Sequence, residues 1–111
     1  MFFERYKSLQ LLGISELEEE GFKILAPQSI EAVLELLKKN VPDVLITDFC
    51  DFQPASLKKM FRIISIQKIP VIIYTHYPQS FINETLYEQH DCIKKSNDFT
   101  ELKNKIKEIV Q

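Results

Sequence analysis

The sequence predicts an α/β domain built on a parallel sheet with helices on both faces, and two kinds of observation predict it. Val44-Leu45-Ile46-Thr47 and Val71-Ile72-Ile73-Tyr74-Thr75 are unbroken rows of apolar or β-branched residues, the pattern of strands covered on both sides. Between such rows lie segments whose apolar residues recur at helical spacing, and strand-helix alternation gives parallel strands joined by right-handed crossovers. At 111 residues, with 45% hydrophobic and 27% charged residues, the chain is one compact domain spanning 1–111.

The first strand has two parses. Met1 to about Glu4 can form an abbreviated strand, followed by a helix from Ser8 to Glu20 that stops at Gly21; the other parse makes Ser8 to Ile14 the strand. The first is preferred, because the second leaves a crossover too short to join parallel strands. In that helix Leu9, Leu12 and Leu17 are read as the inward residues, and Glu18 to Glu20 as a solvated acidic end. Phe22 to Leu25 reads as the second strand, ending before Pro27. Ser29 caps a helix from Ile30 to about Asn40, with Val33, Leu34 and Leu37 on its apolar face.

The third strand is the buried row ending at Thr47, and Asp48 is the first charged residue beyond it. A helix from Ala55 to about Ile66 turns Leu57, Met60, Phe61 and Ile64 inward, and the fourth strand runs from Pro70 to Thr75. Gln79 to Gln89 reads as a weaker helix and Asp91 to Lys95 as the last strand. Asp98 with Glu101 opens a final helix in capping-box fashion, with Phe99, Leu102, Ile106 and Ile109 buried.

Composition excludes several functions. A net charge of -2 argues against a dedicated nucleic-acid binder, and no apolar run approaches the roughly 20 residues that span a bilayer. With no basic region followed by an apolar run at its start, the expected location is cytoplasmic. Cys50 and Cys92 lack partners at ligand spacing and read as small hydrophobes, and Asn83-Glu84-Thr85 is an accidental match to a glycosylation pattern. The absence of a Gly-rich loop after the first strand sets aside a nucleotide-type pocket. Asp48 at a strand end can be a metal ligand, a nucleophile or a cap for the loop that follows. Taken singly, Thr75 is an ordinary β-branched strand residue and Lys95 an ordinary lysine beside Lys94. His76 and His90 have no nucleophile or ligand set around them.

Glu18 to Ile24, Ala26 to Val33, Pro42 to Asp48, Pro70 to Thr75, and Asp91 to Lys95 followed by Glu101-Leu102 occur in an order and spacing that resembles the receiver domain of two-component response regulators. The resemblance covers nearly the whole chain. It implies a flavodoxin-like (CheY-like) doubly wound sheet of five strands in the order 2-1-3-4-5, here with a shortened first strand. It implies that Asp48 stands at the phosphoacceptor position, that Thr75 and Lys95 bind phosphoryl oxygens, and that two acidic residues after the first strand help hold Mg²⁺. The implied partner is a protein, a histidine kinase or a downstream signalling protein, and the chemistry is at most phosphoryl acceptance on Asp48 rather than turnover of another substrate.

The chain departs from that pattern at several places, among them a shorter stretch between Asp48 and Pro70, with Pro54 further from Asp48 than is usual. A gapless count from Gly21 puts Glu4 and Arg5 at the acidic pair, so the expected metal ligands reduce to Glu4 and Asp48, and a guanidinium cannot ligate a cation. His76 stands where a small residue is usual, Cys92 where an aromatic switch residue is usual, and Ser96 where a proline is usual. The resulting expectation is an atypical receiver acting as an interaction module, with no cofactor, or with Mg²⁺ if Asp48 is an active acceptor. Arg5 is expected to pair with Asp48. The face of the fourth helix, fifth strand and fifth helix offers Phe81, Tyr87, Lys94, Lys103 and Lys107 to a partner or a second copy, in a weak homodimer whose acidic counterpart is Glu18 to Glu20.

Overall fold

The computed structural model describes residues 1–49, 52–76 and 90–110. Its elements in chain order are β1 (Phe2–Phe3), α1 (Lys7–Glu19), α2 (Ile30–Lys39), β2 (Leu45–Thr47), α3 (Pro54–Gln67), β3 (Val71–Thr75), β4 (Asp91–Lys94) and α4 (Thr100–Val110). The strands form a parallel sheet in the order β1-β2-β3-β4. The helix expected over 79–89 lies outside the described residues.

Side-chain alternation along the strands builds two cores. Phe3, Leu45 and Ile73 face α2 and α3, where they meet Val33, Leu37, Met60 and Ile64. Phe2, Ile46, Ile72 and Ile93 face the other way and meet Leu17 of α1 and Leu102 and Ile106 of α4. A one-residue slip of any strand would exchange its two faces, so the register is strongly held. The sheet therefore has helices on both sides, and the Met1 to Glu4 parse of the first strand is the correct one; Ser8 to Ile14 lies inside α1.

Among the described residues the sheet has four strands rather than the expected five, and the segment that drops out is Phe22 to Leu25. In a parallel pair an N–H reaches the carbonyl of the residue preceding its partner, as the Ile46 N–H does to Met1 with Phe2 opposite Ile46. On the other side of β1 the Phe2 N–H donates to the Leu25 carbonyl at 2.8 Å, which places residue 26 opposite Phe2. The next rung needs the N–H of residue 27, and that residue is Pro27, which has none. Residues 22–24 fall before the amino end of β1, so the segment reaches the place of strand 2 of the 2-1-3-4-5 order only at Leu25, and the ladder stops after one bond.

The helix ends follow local chemistry. The Ser29 hydroxyl accepts from the Ala32 N–H at 3.1 Å, and Gly21 turns the chain after α1 at φ 90°. Asp98 does not form the expected capping box with Glu101. It lies two residues before the first residue of α4 and accepts from the Thr100 N–H at 2.9 Å and the Thr100 hydroxyl at 2.6 Å, an Asx turn that starts the helix.

Helix α1 also corrects the expectation. Its buried residues are Gln10, Gly13 and Leu17, while Leu12 is 39% exposed and Leu9 half-buried. Its apolar residues form no single stripe, so packing decides the face, and the deciding contact is at Gly13. A Cβ there would stand 2.6 Å from two carbons of the Phe2 ring. The missing side chain lets α1 lie directly on β1.

The lysines of α4 have partners within the chain. Lys103 Nζ lies 2.7 Å from Glu16 and 3.6 Å from Glu20, and Lys107 Nζ lies 2.8 Å from Glu20, tying α4 to α1. The basic set expected to meet another chain's acidic patch is thus engaged at home, except for the exposed Lys94. Phe81 and Tyr87 of the same expected face lie outside the described residues.

Replacing Gly13 with Ala tests the packing of α1. Helix propensity alone would favour the change by about 1 kcal/mol, whereas overpacking costs typically about 1–3 kcal/mol. Gly13→Ala is expected to lower the urea midpoint; a rise would mean that Phe2 yields at no cost.

Candidate functional site

The carboxyl ends of the strands assemble the site. Glu4 follows β1, Asp48 follows β2, Thr75 closes β3 and Lys95 follows β4. Because Phe3 pairs with Thr47, Thr47 with Ile73 and Thr75 with Lys94, these residues emerge at one edge of the sheet. The Lys95 N–H donates to the Thr75 carbonyl at 2.8 Å, which continues the β3–β4 ladder by one rung and fixes where the lysine side chain begins.

The Lys95 ammonium is the centre of the arrangement. It lies 2.8 Å from Glu4 Oε1 and 3.0 Å from Glu4 Oε2, donating to the latter, and 3.4 Å from Asp48 Oδ2. The two contacts to Glu4 are of different kinds: Oε1 is closer but makes no aligned hydrogen bond, so the ammonium sits astride the carboxylate. The side chains of Lys95 and Glu4 are 2% and 3% exposed, against 13% for Asp48. Lys95 and Glu4 form a buried ion pair, with Asp48 at its rim. At such depth each ion requires the other, because an unpaired charge would carry an uncompensated desolvation penalty.

Tyr6 covers the rim. Its ring is half exposed, with the Lys95 ammonium 5.8 Å from the ring centroid and the Arg5 guanidinium 5.0 Å from it. Arg5 Nη2 also donates to the Tyr6 hydroxyl at 3.1 Å. Cations at these distances are attracted to the face of the ring. Further along, the Tyr74 hydroxyl donates to the Ser96 carbonyl at 3.2 Å and anchors the loop after Lys95, while burial pushes the Tyr74 phenol above its usual range.

The structure thus brings Glu4, Asp48 and Lys95 into direct contact and sets the fully buried Thr75 beside them through its backbone. Arg5, expected to pair with Asp48, is exposed and packs on Tyr6; among the described residues the ammonium against Asp48 is that of Lys95. His76 is exposed. His90 is half-buried rather than a plain surface residue, stacked on Phe61 with ring centroids 6.1 Å apart. Cys92 is a half-buried free thiol raised above its usual range by burial and by Asp91, and Cys50 lies outside the described residues.

Two residues escaped the sequence reading. Tyr6 carried no signal beyond its position after Glu4 and Arg5. Gln10, a polar residue inside α1, is 2% exposed, and its Nε2 has no hydrogen-bond partner among the described residues.

The resemblance to receivers implies Mg²⁺ at this edge, and the residues do not fit it in the arrangement observed. Magnesium takes near-octahedral oxygen ligands. Here the two carboxylates that could bind it enclose an ammonium, and no group of three acidic, His or Cys side chains is assembled among the described residues.

No family model matches the chain, and no curated protein does. Among solved structures, the chain is similar to the response regulator protein TrrA from Thermotoga maritima in complex with Mg²⁺-BeF. The TM-score is 0.83 at 24% identity, over 97% of this chain and 95% of that one. It is also similar to a de novo designed Rossmann 2x3 fold protein, with a TM-score of 0.69 at 18% identity over 98% of this chain and 86% of that one. No helix among the described residues is long and apolar enough to cross a membrane. The chain has the parallel α/β fold seen in TrrA.

Two measurements test the ion cluster and its surroundings. Lys95→Met leaves Glu4 buried without its cation and is expected to cost about 3–5 kcal/mol in urea unfolding, with Glu4→Gln combined with Lys95→Met recovering much of the loss; additive losses would refute the pairing. The His90 imidazole is held below its ordinary range by burial, opposed by Asp91. A folded value below the unfolded one means that the contribution is present above about pH 6.5 and is lost as pH falls through the folded value. His90→Phe should therefore lose less stability than wild type between neutral pH and pH 5. Parallel curves would refute it.

Proposed function

We propose that this chain is an atypical receiver domain that acts in signal transduction through protein contacts, with phosphorylation of Asp48 impaired. The observation that carries this reading is the buried Lys95 ammonium held between Glu4 and Asp48. Phosphoryl acceptance at Asp48 would require Lys95 to turn toward the phosphoryl oxygens. Glu4 would then lose the cation that offsets its burial, at a cost of about 3–5 kcal/mol for breaking such a pair. Glu4 and Asp48, the carboxylates that would hold a divalent cation, are both engaged by this ammonium, and the pairing favours one state of the site. A histidine kinase or a downstream signalling protein is the proposed partner. No turnover of another substrate is proposed, and the face bearing Lys94 remains a candidate contact, alone or in a weak homodimer.

The second reading is an active phosphoacceptor, and two observations favour it. Asp48 is the most exposed member of the ion cluster, and TrrA, which shares the fold, was solved with Mg²⁺-BeF. In that case an Asp48 carboxylate oxygen attacks phosphorus as the donor bond breaks, and the donor leaves with the bonding pair.

Incubation with acetyl phosphate and Mg²⁺ separates the readings. Little or no acid-stable mass increase is expected at Asp48 in the wild type. Stoichiometric labelling abolished by Asp48→Asn would establish the second reading instead. Arg5→Asp, which restores the second carboxylate, is expected to raise Mg²⁺ affinity in a fluorescence or NMR titration.

A further inference from the structure

At the amino ends of the strands, opposite the Glu4–Lys95–Asp48 cluster, the structure holds a cavity of about 610 Å³. It opens where the 22–25 segment stands beside β1 on a single backbone hydrogen bond. Phe2 and Ile46 form its sheet wall, Leu17 and Ile106 come from α1 and α4, and Phe22 and Ile24 line its outer side. Phe22 and Ile24 are half-buried, as residues of a strand that has not closed would be.

Three features give the cavity the character of a binding site. Its volume is within the range of small-molecule pockets, about 300–1,000 Å³. Its mouth gathers Leu25, Val41 and Val110, which are 39%, 59% and 42% exposed and keep apolar surface in water around one opening. Its charged side chains, Lys23 and Asp43, are exposed and of opposite sign, so the rim selects for neither charge; behind it the lining is apolar except for the Met1 α-amino group, which burial pushes down to about 6 and which donates to the Val44 carbonyl at 2.9 Å. With the Met1 amine largely neutral at pH 7 and already bonded to Val44, an ionised ligand would lose its hydration there with no charged side chain at depth to meet it. A neutral one loses little and removes both its own surface and the cavity wall from water.

We propose that this cavity binds a small, uncharged apolar molecule. With residue 26 opposite Phe2, Ile24 and Phe22 fall before the amino end of β1, so no residue of that strand stands opposite them to close the site. The proposal is independent of the reading of Asp48, which lies at the other end of the sheet.

The test uses the full chain and the neutral fluorescent probe N-phenyl-1-naphthylamine. One saturable site per chain is expected, with uncharged alkanols or ring compounds displacing the probe. Ile24→Trp, which fills the cavity, should weaken probe binding at least tenfold, and Val41→Asp at the exposed mouth should weaken it severalfold. Ile66→Asp, at a 71% exposed position on α3 away from the cavity, should leave it unchanged. Should Ile24→Trp fail to fold, Val41→Asp against Ile66→Asp decides. Unsaturable uptake, no uptake, or equal affinity in Val41→Asp and Ile66→Asp overturns the proposal; the first two would mean that the 22–25 segment closes the cavity in solution.

Discussion

A lysine ammonium buried to 2% exposure can persist as an ion only if the fold delivers counter-charges to it, and much of this structure follows from that requirement. The carboxylates come from different strands: Glu4 from the end of β1 and Asp48 from the end of β2, while Lys95 arrives from β4. Bringing them within 2.8 and 3.4 Å demands that the strands be parallel, in register and ended at the same level. A slip of one residue in β1 would turn Glu4 toward a helix and bring Arg5 inward. The ion cluster is thus a register device as well as a candidate site. A glutamate at position 4 is part of the solution, because its extra methylene, compared with aspartate, lets a two-residue strand reach the lysine.

Much of the fold was legible in the sequence because the central strands are short rows with few alternatives. Val44 to Thr47 and Val71 to Thr75 have no wet face, and the helix between them carries a clear apolar side, so β2, α3 and β3 follow from pattern. What failed was decided by long-range geometry. Phe22 to Leu25 has the alternation of a strand, yet strand status needs a ladder, and the missing N–H of Pro27 matters only once Phe2 is known to sit opposite residue 26. The inward face of α1 likewise depends on the contact between Gly13 and the Phe2 ring. A period count sees five apolar positions on that helix and cannot see the ring that selects among them.

The candidate site was readable by position and misread in its pairing. Asp48, Thr75 and Lys95 are marked by standing where strands end, and Glu4 by its distance from Gly21. Residue type does not separate Lys95 from Lys94; alternation along the last strand and burial do, leaving Lys94 in water and Lys95 inside. The gapless count from Gly21 suggested Arg5 as the partner of Asp48. In the structure Arg5 follows the last inward residue of a very short strand and packs its guanidinium on Tyr6 at the surface, while Lys95 meets Asp48. Tyr6 became part of the site only because Lys95 and Arg5 both approach its ring, a relation between residues distant in sequence.

The two ends of the sheet are held by different forces, and this difference bears on how the domain can respond to a partner. At the carboxyl ends, charges contributed by three strands fix the geometry, so a change at Asp48 is felt by Lys95 and then by Glu4. At the amino ends, the edge beside β1 is held by one backbone bond and by half-buried side chains around an apolar cavity. Phe2 lies between these regions, bonded to Leu25 on one side, packed under Gly13 on the other, and two residues before Glu4. A shift of β1 along its axis would alter the ion cluster and the cavity together, since so short a strand has no independent part to absorb the movement. β1 thus joins a charged end to an apolar one, and its one backbone bond to the 22–25 segment is the Phe2–Leu25 rung.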